Sequence, residues 1–291
     1  MRHGLRGLWL GLGAYVLWGL FPLYWPLLKP AGAVELLAHR TVWSMFAVVG
    51  LLAVGRQWAW ISEVASARAV LCRSVLAAVT LLFNWGLYIY SVNTGRVVEA
   101  ALGYFIAPLV LIAVGVLKFG ERLGPVQWTA VALGAGAVLV LSSAYGHVPV
   151  TALALAGSWA VYGYLKKTVD LPAVQSLAVE TAAMLVPAAG YLAWLAWRGE
   201  GSFDVAAPGR SLMLATTGLA VVPLLLFAAA ARTAKMSTLG ALQYVEPTLQ
   251  FGIGVLIRHE TMPVGRWTGF VLVWAALLLL AFDARTSPST M

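Results

Sequence analysis

The chain has 291 residues, of which 61% are hydrophobic and 10% charged, with a formal net charge of +8. A soluble domain is closer to half apolar and a quarter charged, so this composition excludes a water-soluble enzyme or binding module and indicates a protein whose main solvent is lipid. The basic residues stand singly between apolar runs rather than in a patch, which argues against nucleic-acid binding, and the one cysteine, Cys72, excludes an intrachain disulfide or a cysteine metal cage.

A membrane-spanning helix needs about 20 mostly apolar residues. Ten stretches meet this: 8–28, 34–54, 74–92, 97–117, 123–145, 148–165, 171–197, 211–231, 236–257 and 264–282. Their apolar runs are continuous rather than alternating, which favours helices over a barrel. Arg2, His3 and Arg6 precede the first run, but that run continues without a small-residue cleavage site, so it reads as a retained helix. Counted over the loops, Lys and Arg favour one side by about two to one, which places both termini in the cytoplasm.

The stretch GYFIAPLVLIAVGVLKFGERLGPVQWT from Gly103 recurs as LQYVEPTLQFGIGVLIRHETMPVGRWT from Leu242. At one offset of 139 residues, Pro108 meets Pro247, Glu121 meets Glu260, Trp128 meets Trp267 and Thr129 meets Thr268. Such coincidences of Pro, Glu and Trp indicate a duplication. Ten spans divide into two sets of five, and because five is odd the second set enters the membrane from the opposite side. The expected fold is therefore an all-α polytopic membrane protein with two inverted five-helix repeats, residues 1–145 and 146–285, and a polar tail, 286–291. Inverted repeats around a midplane site are the architecture of alternating access.

The strings AYVLWGLFPLYW from Ala14, ELLAHRTVWS from Glu35, FNWGLYIYSVNTGRVVEAALGYFIAPLV from Phe83, GERLGPVQW from Gly120 and STLGALQYVEPTLQF from Ser237 make the whole chain resemble the drug/metabolite transporter superfamily, and within it the RarD permeases of the EamA type. The resemblance implies ten helices in two EamA repeats, a bacterial inner membrane, and transport of a small organic solute without a cofactor. A homodimer is compatible with it. Glu246 departs from the family pattern, which has a small neutral residue before this proline.

Charges inside spans are costly and mark candidate sites. His39 and Arg40 lie within the second span, with Glu35 and Trp43 on the face of His39; Arg40 points about 100° away and suits a grip on an anion. Glu180 lies in the seventh span and is the candidate for proton coupling, with a salt bridge to Arg40 as its structural alternative. Gln243, Glu246 and Gln250 form a stripe around Pro247 in the ninth span, and Tyr104 with Pro108 occupies the equivalent place in the fourth. Prolines at matching positions of two halves point to broken helices and a binding site between them. Trp18, Asn84, Tyr88 and Tyr162 add rings and hydrogen-bonding tips suited to a flat organic solute. Glu99 reads as a local partner of Arg96.

A secondary transporter of a small organic solute is the leading reading, with proton coupling as its extension. A channel or receptor on the same fold is the alternative. A membrane-embedded enzyme lacks the motifs it would need, and no phosphate-cradling loop supports direct use of ATP.

Overall fold

The computed structural model describes residues 2–55, 58–119, 123–169, 171–204, 206–231 and 242–286. Glu121, the opening of the ninth expected span at 236–241 and tail residues 287–291 lie outside the described residues. Every regular element among those described is helical, as backbone groups in lipid require. In chain order these are α1 (Arg2–Tyr24), α2 (Ala33–Gly55), α3 (Trp60–Ser66), α4 (Arg68–Asn93), α5 (Val97–Phe119), α6 (Pro125–Tyr145), α7 (Val150–Lys167), α8 (Ala173–Arg198), α9 (Pro208–Ala215), α10 (Val221–Ala231), α11 (Val245–Gly252) and α12 (Val264–Thr286). Their ends follow local chemistry. Pro125 and Pro208 open α6 and α9, where a missing N–H costs nothing, and Gly146 and Gly199 close α6 and α8 in the left-handed region, at φ 71° and 67°.

Among the described residues, seven helical stretches are long and apolar enough to cross a membrane, and they match seven of the ten expected spans. Val245–Ile257 and Val264–Leu280 are shorter apolar helices at the places of the ninth and tenth. The span expected at 148–165 corresponds to α7, which has 18 residues and ends in Lys166 and Lys167.

Two expectations about helix breaks are corrected. The fourth span was expected to break at Pro108, yet α5 runs unbroken through it; one lost backbone hydrogen bond is tolerated inside a well-packed bundle. Conversely, the span at 211–231 is interrupted by a 3-10 segment, Thr216–Ala220, between α9 and α10. Here the Thr216 and Thr217 hydroxyls donate to the carbonyls of Met213 and Leu214, a local competition that bends helices. The ninth span is irregular as expected: residues 243–244 form a turn, and α11 runs on into a π-helical turn, Ile253–Ile257. Pro247 then falls in the first turn of α11, where proline is tolerated.

Packing pairs α6 with α12, α2 with α8 and α5 with α11. α1 lies against α10 and α11, while α7 lies against α4 and α5. Close approaches hold these contacts. A Cβ on Gly19 of α1 would stand 2.8 Å from Leu249 and 3.2 Å from the Glu246 carbonyl, and one on Gly103 of α5 would stand 2.8 Å from the Ala152 carbonyl of α7. The largest buried apolar cluster gathers Phe105, Leu141, Phe251 and Phe270 from α5, α6, α11 and α12. A second gathers Trp25, Leu36, Trp85 and Ile89 around α1, α2 and α4. Between these clusters lie the polar groups of the next section.

Candidate solute-binding site

Arg40 is buried about two turns into α2, 8% exposed. Its guanidinium carbon sits 3.6 Å from the centroid of the Trp85 ring on α4, and the charge also interacts with the hydroxyls of Tyr104 and Tyr162. A desolvated cation over an indole gains about 2 kcal/mol or more. Among the described residues, however, Arg40 makes no ion pair, and its Nε has no hydrogen-bond acceptor.

Glu180 is therefore not the partner of Arg40. On α8 it accepts from Lys166 of α7 at 2.7 Å, from Ser176 one turn earlier at 2.9 Å and from Tyr162 at 3.2 Å, and Lys166 also bonds Ser176. The carboxylate is thus paired with a cation and given two hydroxyl donors, the arrangement that a buried charge needs. The i,i+4 spacing of Ser176 and Glu180 was visible in the sequence; the lysine, across a loop, was not.

Glu246 has no cation among the described residues. Its one hydrogen bond comes from the Gln250 side chain, one turn on, at 3.1 Å. Tyr15 of α1, Tyr88 of α4 and Tyr104 of α5 surround it closely enough to interact electrostatically. Tyr104 interacts with both charges, Glu246 and Arg40. Glu246, Tyr104, Tyr162, Trp159 and Trp18 are each partly buried. Their rings form a chain of aromatic contacts: Tyr88 and Tyr104 have centroids 5.7 Å apart, Tyr104 and Trp159 6.3 Å, and Trp159 and Tyr162 5.7 Å, with Tyr15 and Trp18 5.5 Å apart on α1. The Tyr88 hydroxyl and the Trp18 Nε1 are buried without partners.

Asn84 is fully buried and fully committed. Its amide donates to the Leu155 carbonyl and to Ser158 Oγ of α7, both at 2.9 Å, and its oxygen accepts from Tyr104 at 3.1 Å. It positions Tyr104 and pins α4 and α5 to α7. His39 stacks on Phe203, with ring centroids 5.6 Å apart, and its Nε2 lies 3.9 Å from Glu35. Gln243 lies in the turn before α11 and hydrogen-bonds Tyr244.

Two contacts at helix ends were not legible in the sequence. Glu35 accepts from the backbone N–H and hydroxyl of Ser202, in the loop after α8, at 2.5 and 2.9 Å. Glu260, in the loop before α12, accepts from the backbone N–H groups of Val97 and Val98 at 2.5 and 3.0 Å and so caps α5 from a distant part of the chain. Burial raises the Glu260 carboxyl above the usual glutamate range, against the opposing pull of the two amides. Beside it, Arg96, Arg258 and Arg266 line a cavity of about 460 Å³ with Glu99. Arg96 bonds Thr94 and stacks on Tyr90, so the expected Arg96–Glu99 pair does not form among the described residues.

Residues 5–143 match the EamA-like transporter family. Over 280 residues the chain is 54% identical to "Protein RarD" of Streptomyces exfoliatus, covering 96% of this chain and 89% of that one. The chain belongs to the RarD permeases of the EamA-like transporter family. Within that family it is also 37% identical to "Protein RarD" of Escherichia coli K12, over 96% of this chain and 95% of the relative. A "Chloramphenicol-sensitive protein RarD" of Pseudomonas aeruginosa is 34% identical over 98% and 96%. A solved crystal structure, 18% identical, superposes with a TM-score of 0.62 over 96% of this chain and 98% of its own, a likeness of fold. This RarD permease is thus a multi-pass membrane transporter.

Proposed function

We propose that this permease is a secondary carrier that moves a small organic solute across the bacterial inner membrane by alternating access, with both termini in the cytoplasm. The observation that carries the reading is the cluster of aromatic side chains deep in the bundle, Tyr88, Tyr104, Trp159 and Tyr162, with Arg40 stacked on Trp85 nearby and neither Arg40 nor Glu246 ion-paired among the described residues. Asn84 supports Tyr104 in that cluster, and His39 and Gln243 remain candidates for the solute pathway.

The helix packing supports two inverted five-helix repeats, 1–145 and 146–285. At the offset read from the sequence, α1 corresponds to α7, α2 to α8, α4 to α9 and α10, α5 to α11, and α6 to α12. Under that exchange the contacts of α1 with α10 and α11 become those of α7 with α4 and α5, while the pairs α2–α8, α5–α11 and α6–α12 map onto themselves. The equivalent elements differ in shape, α5 being continuous and α11 short and irregular. Such a difference is what two halves that alternate in shape require.

Proton coupling through Glu180 would require the carboxylate to leave Lys166 during the cycle. Reconstituted protein separates the readings: saturable uptake with counterflow supports a carrier, whereas single-channel conductance would replace it with a channel. Glu180→Gln is expected to abolish pH-driven uptake and to spare solute exchange; unchanged pH dependence removes the coupling role.

A further inference from the structure

We propose that the cavity where α5 and α12 begin and α6 ends is an oxyanion-binding site, in which Arg96, Arg258 and Arg266 take a phosphate group. That group is carried by a free phosphorylated anion or by the headgroup of an anionic phospholipid. Arg40, Glu246 and the aromatic cluster are not part of this cavity, so the site is a second one.

Two kinds of residue meet in this cavity. At the repeat offset of 139, Glu260 meets Glu121, whereas Arg258 meets Phe119 and Arg266 meets Gln127. The glutamate belongs to the duplicated pattern, and its use is visible in the cap it gives α5 through Val97 and Val98. Duplication does not account for the two arginines. With Arg96 they line one cavity of about 460 Å³, and none of the three is ion-paired among the described residues. Each guanidinium is held instead by a neutral group. Arg96 donates to Thr94 Oγ1 at 3.3 Å, Arg258 to the Pro22 carbonyl at 3.1 Å and Arg266 to the Thr261 carbonyl at 2.8 Å, with the Arg266 guanidinium carbon 4.0 Å from the Tyr145 ring centroid. These contacts fix position without cancelling charge, and they leave donors over. A guanidinium has five N–H groups, and the Arg266 Nε is buried without an acceptor. Three like charges around one space repel one another, a cost that a bound anion removes. A carboxylate offers two oxygens, but a phosphate monoester offers three and nearly two charges, which suits three guanidinium forks. The connecting turn is strained as well. His259 holds φ 54°, in the left-handed region that a non-glycine residue seldom adopts, where the first repeat has Gly120 in its sequence, and Arg258, His259 and Glu260 all line the cavity from this turn. Glu99, 6% exposed, lines it too and makes no ion pair among the described residues. Its carboxylate opposes an oxyanion, so neutralising it should strengthen binding.

Thermal unfolding of the full-length protein tests this in two arms, both at fixed ionic strength because salt screens an open site. In detergent, pyrophosphate is compared with chloride; in nanodiscs, phosphatidylglycerol is compared with phosphatidylcholine. Arg266→Gln, which copies the first repeat, should need about tenfold more pyrophosphate than wild type for the same rise in midpoint, and Glu99→Gln should need less. If Arg266→Gln does not fold, Arg258→Gln and Arg96→Gln carry the same expectation. A lipid occupant shows as a higher midpoint in phosphatidylglycerol than in phosphatidylcholine, a gain that shrinks in Arg258→Gln and leaves added pyrophosphate without effect in the phosphatidylglycerol discs. A free anion shows as equal midpoints in the two lipids and the same pyrophosphate response in both. Either result upholds the site. Responses to pyrophosphate and to phosphatidylglycerol that are the same in wild type and the arginine variants, no response to either, or weaker pyrophosphate binding in Glu99→Gln overturns it.

Discussion

Removing the Glu260 side chain should loosen the N-terminal end of α5 and little else. In the native structure the carboxylate accepts from two of the free N–H groups at the start of that helix, those of Val97 and Val98, and no side chain of α5 itself does so. Deleting a helix cap costs about 0.5–2 kcal/mol, and with two amides losing their acceptor at once the upper half of that range applies, about 1–2 kcal/mol. Since 1.4 kcal/mol is a factor of ten, Glu260→Ala should speed amide hydrogen exchange in the segment containing Val97 and Val98 by about 5- to 30-fold, with segments of α6 unchanged. Glu260→Gln, which keeps one acceptor, should fall between. The pH dependence has a definite sign. Burial raises the Glu260 carboxyl, so its contribution to stability is fully present below the unfolded value and is lost as pH rises through the raised one. After correction for intrinsic exchange, wild-type protection should decline over that window while Glu260→Gln stays flat. Exchange at Val97 and Val98 that is the same in Glu260→Ala and wild type would refute the capping role.

Other perturbations follow from the same contacts. Lys166→Met strands the Glu180 carboxylate and should lower the unfolding midpoint, by less than the roughly 3–5 kcal/mol of a fully buried broken pair because the Lys166 side chain is 30% exposed; Lys166→Met with Glu180→Gln should recover part of the loss. Asn84→Leu leaves the Tyr104 hydroxyl without its acceptor and removes the amide donor from the Leu155 carbonyl, which keeps Ser158 Oγ, and should cost about 1–3 kcal/mol in thermal or denaturant unfolding. Arg40→Lys keeps the charge and loses the planar fork and the stacking on Trp85, so the half-saturation concentration for solute exchange should rise with the amount of folded protein unchanged; loss of folded protein instead would make Arg40 a structural lock.

Hydrophobic run length located the helices because lipid leaves the chain few other options, and seven of the spans appear where continuous apolar stretches required them. The same logic singled out Arg40, Glu180 and Glu246, since each interrupts such a stretch. Partners were harder to see. Glu180 is held by Lys166, 14 residues away across a loop, and Glu260 caps a helix 163 residues away, contacts that exist only once the bundle has closed. Proline was a poor guide to where helices break. Pro108 sits inside an unbroken α5, whereas Thr216 and Thr217, with hydroxyls that bond their own carbonyls, mark a break that no charge or hydropathy signal announced. Asn84 was read as a solute contact because it shares a face with Tyr88; its three hydrogen bonds to α5 and α7 instead make it a support for Tyr104.

The most direct measurement concerns how the two halves thread the membrane. In a Cys72→Ser background, single cysteines placed at Lys118 and at Arg258, equivalent within about one residue at the repeat offset of 139, are labelled in intact cells with a membrane-impermeant maleimide. Inverted repeats require the Arg258 position to react from outside and the Lys118 position only after the membrane is opened. Labelling of both positions from one side would contradict the inverted arrangement, and with it the exchange of shapes between the halves.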